Sequence, residues 1–385
     1  MARFNPKIGG DRIIWAVVIL LTFFSILAVY SSTTTLAYKV MHGNTEFYLM
    51  KHLGILIFAF ILMYIAHKIN YIYYSRLSQL ALIISIPLLL YTLLFGISIN
   101  DASRWTTLPG VNLTFQSSDV AKLALIMFLA RLLAKRQENI KDLKTGFLPV
   151  ILPVLVVCAL ILPANFSTAA MLFVTSVVLM FIGRAPLKYI FALVGIGVVF
   201  LSIFVTILIV SPKVEGRVGV WQDRIEHFGS GDSDDNFQVE QAKIAIARGG
   251  VLGKLPGNSI QKNFLPNPFN DFIYAIIIEE YGLWGGILIL LLYLILLYRG
   301  IMILKKAPKN FGALLAIGVT FSLVFQAFIN IAVAVNLVPV TGQPLPLVSM
   351  VGTSIWFTSI AIGIILSVSR DIENNPEPIE ENATV

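Results

Sequence analysis

Ten apolar runs, each about 17–25 residues long and parted by polar breaks, account for most of the chain. They fall near residues 13–33, 49–66, 79–98, 119–134, 147–164, 166–183, 187–211, 271–302, 311–336 and 347–369. The pattern predicts an all-α polytopic membrane protein with about ten transmembrane helices. The fourth run carries Lys122 and Arg131, so its ends are the least defined. The eighth is too long for one crossing. Residues 271–304 as one straight helix would measure about 51 Å against a hydrocarbon core of about 30 Å. It must either project beyond the membrane at its Asp271 end or bend at Gly282, Gly285 and Gly286.

The breaks set the orientation. With a cytoplasmic N-terminus, the inside segments carry seventeen Lys and Arg, and the short outside loops only Lys39, Lys51 and Arg104. That asymmetry puts both termini in the cytoplasm. The one long break, 212–270, then lies outside; its seven basic residues are left out of the count, because long loops translocate largely regardless of charge. Within it, Gly229–Asn236 reads as a flexible turn and Phe237–Arg248 as an amphipathic helix with Phe237, Gln241, Ile244 and Arg248 on one side. Gly249-Gly250 ends that helix in a C′ position. It could lie along the membrane surface or pack on the bundle. Residues 1–370 form one membrane domain that includes this loop, and 371–385, acidic and rich in Pro and Asn, form a disordered cytoplasmic tail.

Composition agrees and excludes other classes. Of 385 residues, 57% are hydrophobic and only 13% charged. A soluble domain carries roughly twice that charged share. The net charge of +7 reflects cytoplasmic loops rather than nucleic-acid binding, since no basic-aromatic stripe accompanies it. Cys158 is the sole cysteine, so disulfides and Cys-ligated metals are excluded. His42, His52, His67 and His227 make no ligand-spaced pair. The first run follows Arg3, Lys7 and Arg12, as a signal peptide would, but it is too long and lacks a small-residue cleavage site, so it reads as a retained anchor.

Against this background the ionisable residues within or beside apolar runs stand out. In Asn263–Gly286, Pro266 and Pro268 stop a helix from running backwards, and Asn270 is a suitable N-cap. A helix starting there puts Asp271 in its first turn and Glu279 on the same face about 12 Å deeper, with Glu280 opposite. Asp271 in that place fits both a helix-dipole charge and a chemical group. In the second loop, Ser117 or Ser118 can cap a helix that pairs Asp119 with Lys122 at i,i+3, either to anchor the helix end or to furnish a site. Arg104 beside Trp105 is a site cation or an interfacial anchor. The uncharged loop Asn336–Ser354 is stiffened by Pro339, Pro344 and Pro346 and offers Ser349, Thr353 and Ser354 as hydroxyl donors. In a compact bundle Asp271, Asp119, Lys122, Arg104 and Ser349 would meet in one outer-face cavity. Cations near an acid suit an anionic, lipid-linked substrate, because the cations hold phosphate and the acid moves a proton.

The chain resembles the SEDS family of bacterial growth and division. The segments that carry the resemblance are Ser103-Arg104-Trp105, Gln116-Ser117-Ser118-Asp119…Lys122 and Gln238…Gln241-Ala242…Gly249-Gly250…Gly253. They continue with Gly257-Asn258-Ser259…Lys262…Leu265-Pro266…Asp271-Phe272-Ile273…Glu279-Glu280-Tyr281-Gly282 and Pro339-Val340-Thr341-Gly342…Leu345-Pro346…Ser349. The Pro-Gly-Asn-Ser and Leu-Val-Pro-Val-Thr-Gly runs look more like the division branch (FtsW) than the elongation branch (RodA). The resemblance implies a peptidoglycan glycosyltransferase that polymerises lipid II at the outer face of the bacterial cytoplasmic (inner) membrane, at the division septum. It implies Asp271 as the catalytic aspartate and Arg104, Asp119, Lys122, Gln241 and Ser349 as substrate-binding groups. A divalent cation such as Mg is left open as a cofactor. The partners implied are an undecaprenyl-pyrophosphate-linked glycan, a class B penicillin-binding protein and other divisome membrane proteins. The chain departs from the family at Asn267, where Glu is usual, at Phe269-Asn270 in place of His-Thr, at Ala164–Thr168, at Met350–Thr353, and at Asp119, which shortens a usual Glu. Two other functions fit a ten-span bundle with polar groups at one face. A lipid II transporter would need polar groups near the midplane, for which Glu279 is the candidate, and a non-catalytic scaffold would tolerate loss of Asp271.

Overall fold

The computed structural model describes residues 9–34, 36, 44–99, 102–107, 114–210, 219, 221, 222 and 234–374. Each of the ten runs lies on one helix: α1 Arg12–Ser32, α2 Thr45–Lys68, α3 Tyr71–Phe95, α4 Ser117–Lys135, α5 Leu148–Ile161, α6 Phe166–Ile182 and α7 Leu187–Val210. After the long loop's helix, α8 Asp234–Gly249, come α9 Ile273–Lys306, α10 Asn310–Ala334 and α11 Gly352–Asn374. Among the described residues, eight helical stretches are long and apolar enough to cross a membrane, including α5 taken with the π-turn Leu143–Phe147 before it. Helix α6 is shorter, and α4 carries Asp119, Lys122, Arg131 and Lys135.

Asx residues open four of the helices. Asp11, Asn44, Asn70 and Asn165 each accept a backbone N–H of the first turn, which satisfies donors that the helix leaves orphaned. Asn70 explains why α3 starts eight residues before the apolar run at 79–98. Helix α11 runs on to Asn374, past the expected boundary at Arg370, because Glu373 accepts Gly10 N at 2.7 Å. The remainder of the tail, 375–385, lies outside the described residues.

The helices are apolar all round, so burial rather than amphipathicity orders them. Most of the apolar stretch of α10 (72%) and α11 (78%) is buried, against 28% for α2 and α3 and 6% for α7. Helices α10 and α11 are therefore the core posts, α2 and α3 form an outer wall, and α7 touches the bundle mainly at α6. At the end away from Asp271, Asp11 accepts Arg299 Nε at 2.5 Å and ties α1 to α9.

Two features depart from the sequence reading. Three short stretches form a small antiparallel sheet, β1 Ile97–Ile99, β2 Ala102–Thr107 and β3 Thr114–Gln116, in the order β1-β2-β3. Helix α8 packs on α9, one of the two placements its pattern allowed, but it buries a different face from the one the pattern picked out. Its buried stripe is Val239, Ala242, Ala245 and Gly249, while Phe237 is 44% exposed. Small residues win that face because the backbones approach closely. A Cβ on Gly249 would collide with Ile278 O. Gly250 takes φ +54°, the expected left-handed C′ conformation.

The over-long eighth span bends, and it does so at Gly282 alone (φ 71°, ψ −173°). Tyr274 Oη donates to Gly286 O at 3.2 Å, although twelve residues of straight helix would part them by about 18 Å. Ile273–Tyr281 thus turns over the top of Leu283–Lys306, whose 24 residues, about 36 Å, suffice for one crossing. An unbroken helix would bond Leu283 N to Glu279 O. Instead Leu283 N donates to Gly250 O (2.9 Å) and Glu279 O accepts Lys254 N (2.9 Å), so the long loop supplies both partners the break sets free. A Cβ at Gly282 would strike Val251 O, whereas one at Gly250 meets nothing within 4 Å. Gly282→Ala is therefore expected to destabilise the detergent-purified protein by more than about 2 kcal/mol, and Gly250→Ala by about 1 kcal/mol. Thermal unfolding checks this; equal midpoints for the two variants would refute the account of the break.

Candidate functional site

Asp271 does not sit in the first turn of α9. The helix begins at Ile273 with Phe272 at its cap position and no side-chain cap, and Asn270 Oδ1 has no partner among the described residues. Two prolines and a turn bond from Asn270 N to Asn267 O (3.1 Å) keep residues 266–272 out of the helix. The helical phasing predicted between Asp271 and Glu279 therefore does not apply.

The turn is fixed through its backbone. Phe269 O accepts Met350 N (2.9 Å), Asn270 O accepts Ser349 Oγ (2.6 Å), and Asp271 O accepts Asn330 Nδ2 (2.8 Å). Three consecutive carbonyls are thus held by the loop 343–351 and by α10. Asn330 Nδ2 spends its second proton on Gln343 O (2.7 Å), and Gln326, one turn earlier on the same face of α10, donates to Pro344 O (2.9 Å). Gln343 Nε2 reaches Thr168 Oγ1 on α6 at 2.8 Å. Asp271 itself is half-buried.

The second acid is paired as predicted. Lys122 Nζ stands 2.8 Å from Asp119 Oδ1, with both side chains largely buried. Lys122 also donates to Gln326 Oε1 at 3.3 Å, so α10 links the pair to the Asp271 turn. The other oxygen of Asp119, Oδ2, is buried without a partner among the described residues and keeps acceptor capacity. Helix α4 starts at Ser117 with Gln116 at the cap position, and neither Ser117 nor Ser118 caps it.

Among the described side chains, Asp271 and Ser349 do not line the space that Asp119 and Lys122 share. Asp119, Lys122, Gln326, Ser354 and Thr358 line a space of about 40 Å³ between α4, α10 and α11. That holds a water molecule or two rather than a sugar. Ser349 is 1% exposed and its hydroxyl is used twice, accepting Leu345 N (2.8 Å) and donating to Asn270 O. It braces the turn instead of facing a ligand. Arg104 lies on β2, and its side chain falls outside the described residues. Gln241 is half-buried on α8. A larger and mainly apolar groove of about 370 Å³ opens between α6, α7 and α10, walled by Phe166, Phe204, Trp221, Phe325 and Val338–Thr341.

Glu279 and Glu280 do not point opposite ways, and both are fully buried. Glu279 accepts Ser259 Oγ, Ile260 N (3.1 Å) and Gln261 N (3.3 Å) and lies 3.9 Å from Arg248. Glu280 accepts Ser31 Oγ and Ser259 N (3.4 Å). Both carboxylates fasten the long loop to the turned-over part of α9. Among the described residues no three His, Cys, Asp or Glu side chains converge as metal ligands. Asp271 is the only carboxylate of its turn and Asp119 is neutralised by Lys122, so this donor set does not make a protein-built cage for a divalent cation.

Comparison with known proteins follows this geometry. The profile of the FtsW, RodA and SpoVE cell cycle proteins matches residues 11–374. The chain is 32% identical over 372 residues to a probable peptidoglycan glycosyltransferase FtsW of Geobacter metallireducens, covering 95% of this chain and 96% of that one. It is likewise 32% identical over 375 residues to the stage V sporulation protein E of Bacillus subtilis, covering 95% and 98%. Among solved structures, a chain of a peptidoglycan synthase complex that coordinates polymerization and crosslinking superposes with a TM-score of 0.76 at 24% identity, over 96% of this chain and 100% of that one. The rod shape determining protein RodA of Thermus thermophilus gives 0.67 at 22% identity, over 95% and 99%. Both share the fold described above.

The Asp119–Lys122 pair yields a direct expectation. Lys122→Met leaves a buried carboxylate without its cation and should cost about 3–5 kcal/mol, whereas Asp119→Asn with Lys122→Met should recover most of it. Thermal unfolding of the two single variants and the double variant measures the coupling. Additive effects would show that the two side chains act independently.

Proposed function

The chain belongs to the FtsW, RodA and SpoVE family of cell cycle proteins, and from that premise and the site geometry we propose how this membrane-embedded peptidoglycan glycosyltransferase works. Asp271 is the general base. It takes the proton from an acceptor sugar hydroxyl of lipid II. That oxygen forms a bond to the anomeric carbon of the growing glycan as the bond to undecaprenyl pyrophosphate breaks, and the leaving group carries off the electron pair. An aspartate is ordinarily a weak base, so its geometry has to supply what its basicity does not. The observation that carries this reading is the clamp on Phe269, Asn270 and Asp271, three successive carbonyls bound by buried donors next to the only carboxylate of the turn.

Arg104 and Lys122 supply positive charge for the pyrophosphate, and Asp119 acts through Lys122, whose ammonium it orients, since the space they share admits water rather than a sugar. Gln241 offers an amide from α8. The polyprenyl tail, being hydrocarbon, suits the apolar groove beside Val338–Thr341. The site end of the bundle faces outward with both termini cytoplasmic, as the Lys and Arg asymmetry requires. The enzyme then works in the bacterial inner membrane at the septum, and a class B penicillin-binding protein and other divisome membrane proteins receive the strand.

Glu279, the residue that would favour carriage of lipid II across the membrane, has its carboxylate filled by Ser259, Ile260 and Gln261. Asp271→Asn keeps the shape of the side chain and removes the base. Polymerisation of lipid II by the purified variant, with and without the transpeptidase partner, is expected to fall by at least about 100-fold. Wild-type rates in Asp271→Asn would end the catalytic assignment, and translocation of labelled lipid II in liposomes without polymerisation would replace it with transport.

A further inference from the structure

The residues next to Ser349 adopt a backbone that an ordinary side chain resists. Leu347 has φ +63° and is 4% exposed. A buried leucine in the left-handed region costs roughly 1–2 kcal/mol, and such strain persists only where surrounding bonds over-determine it. They do so here. Val348 N and Ser349 N both donate to Leu345 O (3.1 and 2.9 Å), and Tyr293 Oη donates to Pro346 O (2.5 Å). From α1, Ser25 Oγ donates to Val348 O (2.8 Å).

Ser25 has one hydroxyl proton, and Val348 O receives it. Its oxygen lies 2.9 Å from His52 Nε2 on α2 and must accept there, which makes Nε2 the donor nitrogen. Ser25 and His52 are both fully buried. His52 Nδ1 has no partner among the described residues, and a bare buried acceptor costs about 1–3 kcal/mol. Packing alone would be served better by an apolar residue. What the imidazole adds is one proton, directed at Ser25.

We infer that His52 is a positioning residue for glycosyl transfer, acting through Ser25 on the Val348 carbonyl. The chain of contacts runs from His52 to Ser25, to Val348 O, to the neighbouring Ser349, and from its hydroxyl to Asn270 O beside Asp271. Removing the imidazole frees the Ser25 hydroxyl to rotate, loosens the strained turn and displaces the carboxylate from its working position. This inference rests on the reading of Asp271 as the base.

The test measures initial rates of lipid II polymerisation by the full-length purified protein, with His52→Ala, His52→Gln, Ser25→Ala and the His52→Ala/Ser25→Ala double variant, and with Asp271→Asn as control. His52→Ala is expected to lower kcat by about tenfold or more, with KM within about twofold, since a displacement of about 1 Å can cost up to 100-fold. His52→Gln, which keeps an N–H donor, should restore most of kcat. The double variant should be no worse than either single one, because both break the same link. Wild-type kcat in His52→Ala, or a His52→Gln enzyme no better than His52→Ala, overturns the inference. Should His52→Ala not survive purification, Ser25→Ala carries the same expectation and the same refutation. Activity in Asp271→Asn would instead overturn the general-base reading, so the two failures are distinguishable.

Discussion

Backbone that leaves a regular helix within an apolar bundle must find every hydrogen bond inside the protein. Three stretches break that regularity here: the turn 266–272, the loop 336–351 and the step at Gly282. The turn and the loop are satisfied by each other and by side chains of α10, and the step by backbone of the long loop. Gln326 and Asn330 donate to Pro344, Gln343 and Asp271, Ser349 and Met350 bind the 269–270 carbonyls, and Gly250 and Lys254 replace the partners lost at the step. Neither the turn nor the loop is free to move without orphaning a group in the other, and the position of Asp271 follows from that mutual dependence.

The same constraint explains why so much polarity at this end of the bundle is spent on the protein's own backbone. A bare buried carbonyl is expensive, so Ser349, Asn330 and Gln326 are occupied with backbone. Glu279 and Glu280 hold the segment 257–262 in the same way, with Lys262 Nζ closing the knot on Gly257 O at 2.7 Å. On the proposed reading the chemistry falls to Asp271, with the Asp119–Lys122 pair linked to the neighbouring loop through Gln326 of α10.

Much of this was legible in the sequence. The ten helices follow from the contrast between apolar runs and polar breaks, and the Asp119–Lys122 pair follows from i,i+3 spacing at a helix start. What escaped was of three kinds. The helix start at Ile273 depends on tertiary bonds to Phe269–Asp271, which no local pattern displays. The buried face of α8 consists of Val239, Ala242, Ala245 and Gly249, and small residues weigh little in an amphipathic pattern beside Phe237 and Ile244. Gln326 and Asn330 did leave a signal, two amides four residues apart in an otherwise apolar run, which is the kind of feature that marks satisfied irregular backbone. The strands at 97–116 are too short for alternation to declare them.

The exchange of the usual Glu for Asn267 now has a structural meaning. Asn267 is exposed and serves the turn through its carbonyl, which accepts Asn270 N. A change of side chain there leaves the turn's framework intact and leaves Asp271 without a second acid in 266–272 to share a proton. With two carboxylates, mutual repulsion could raise the basicity of one of them. With one, placement has to do more of the work, because proton transfer demands that the oxygen come within about 3 Å of the attacking hydroxyl. On the reading of Asp271 as the base, the strained Leu347, the doubly used Ser349 and the buried His52–Ser25 bond supply that placement.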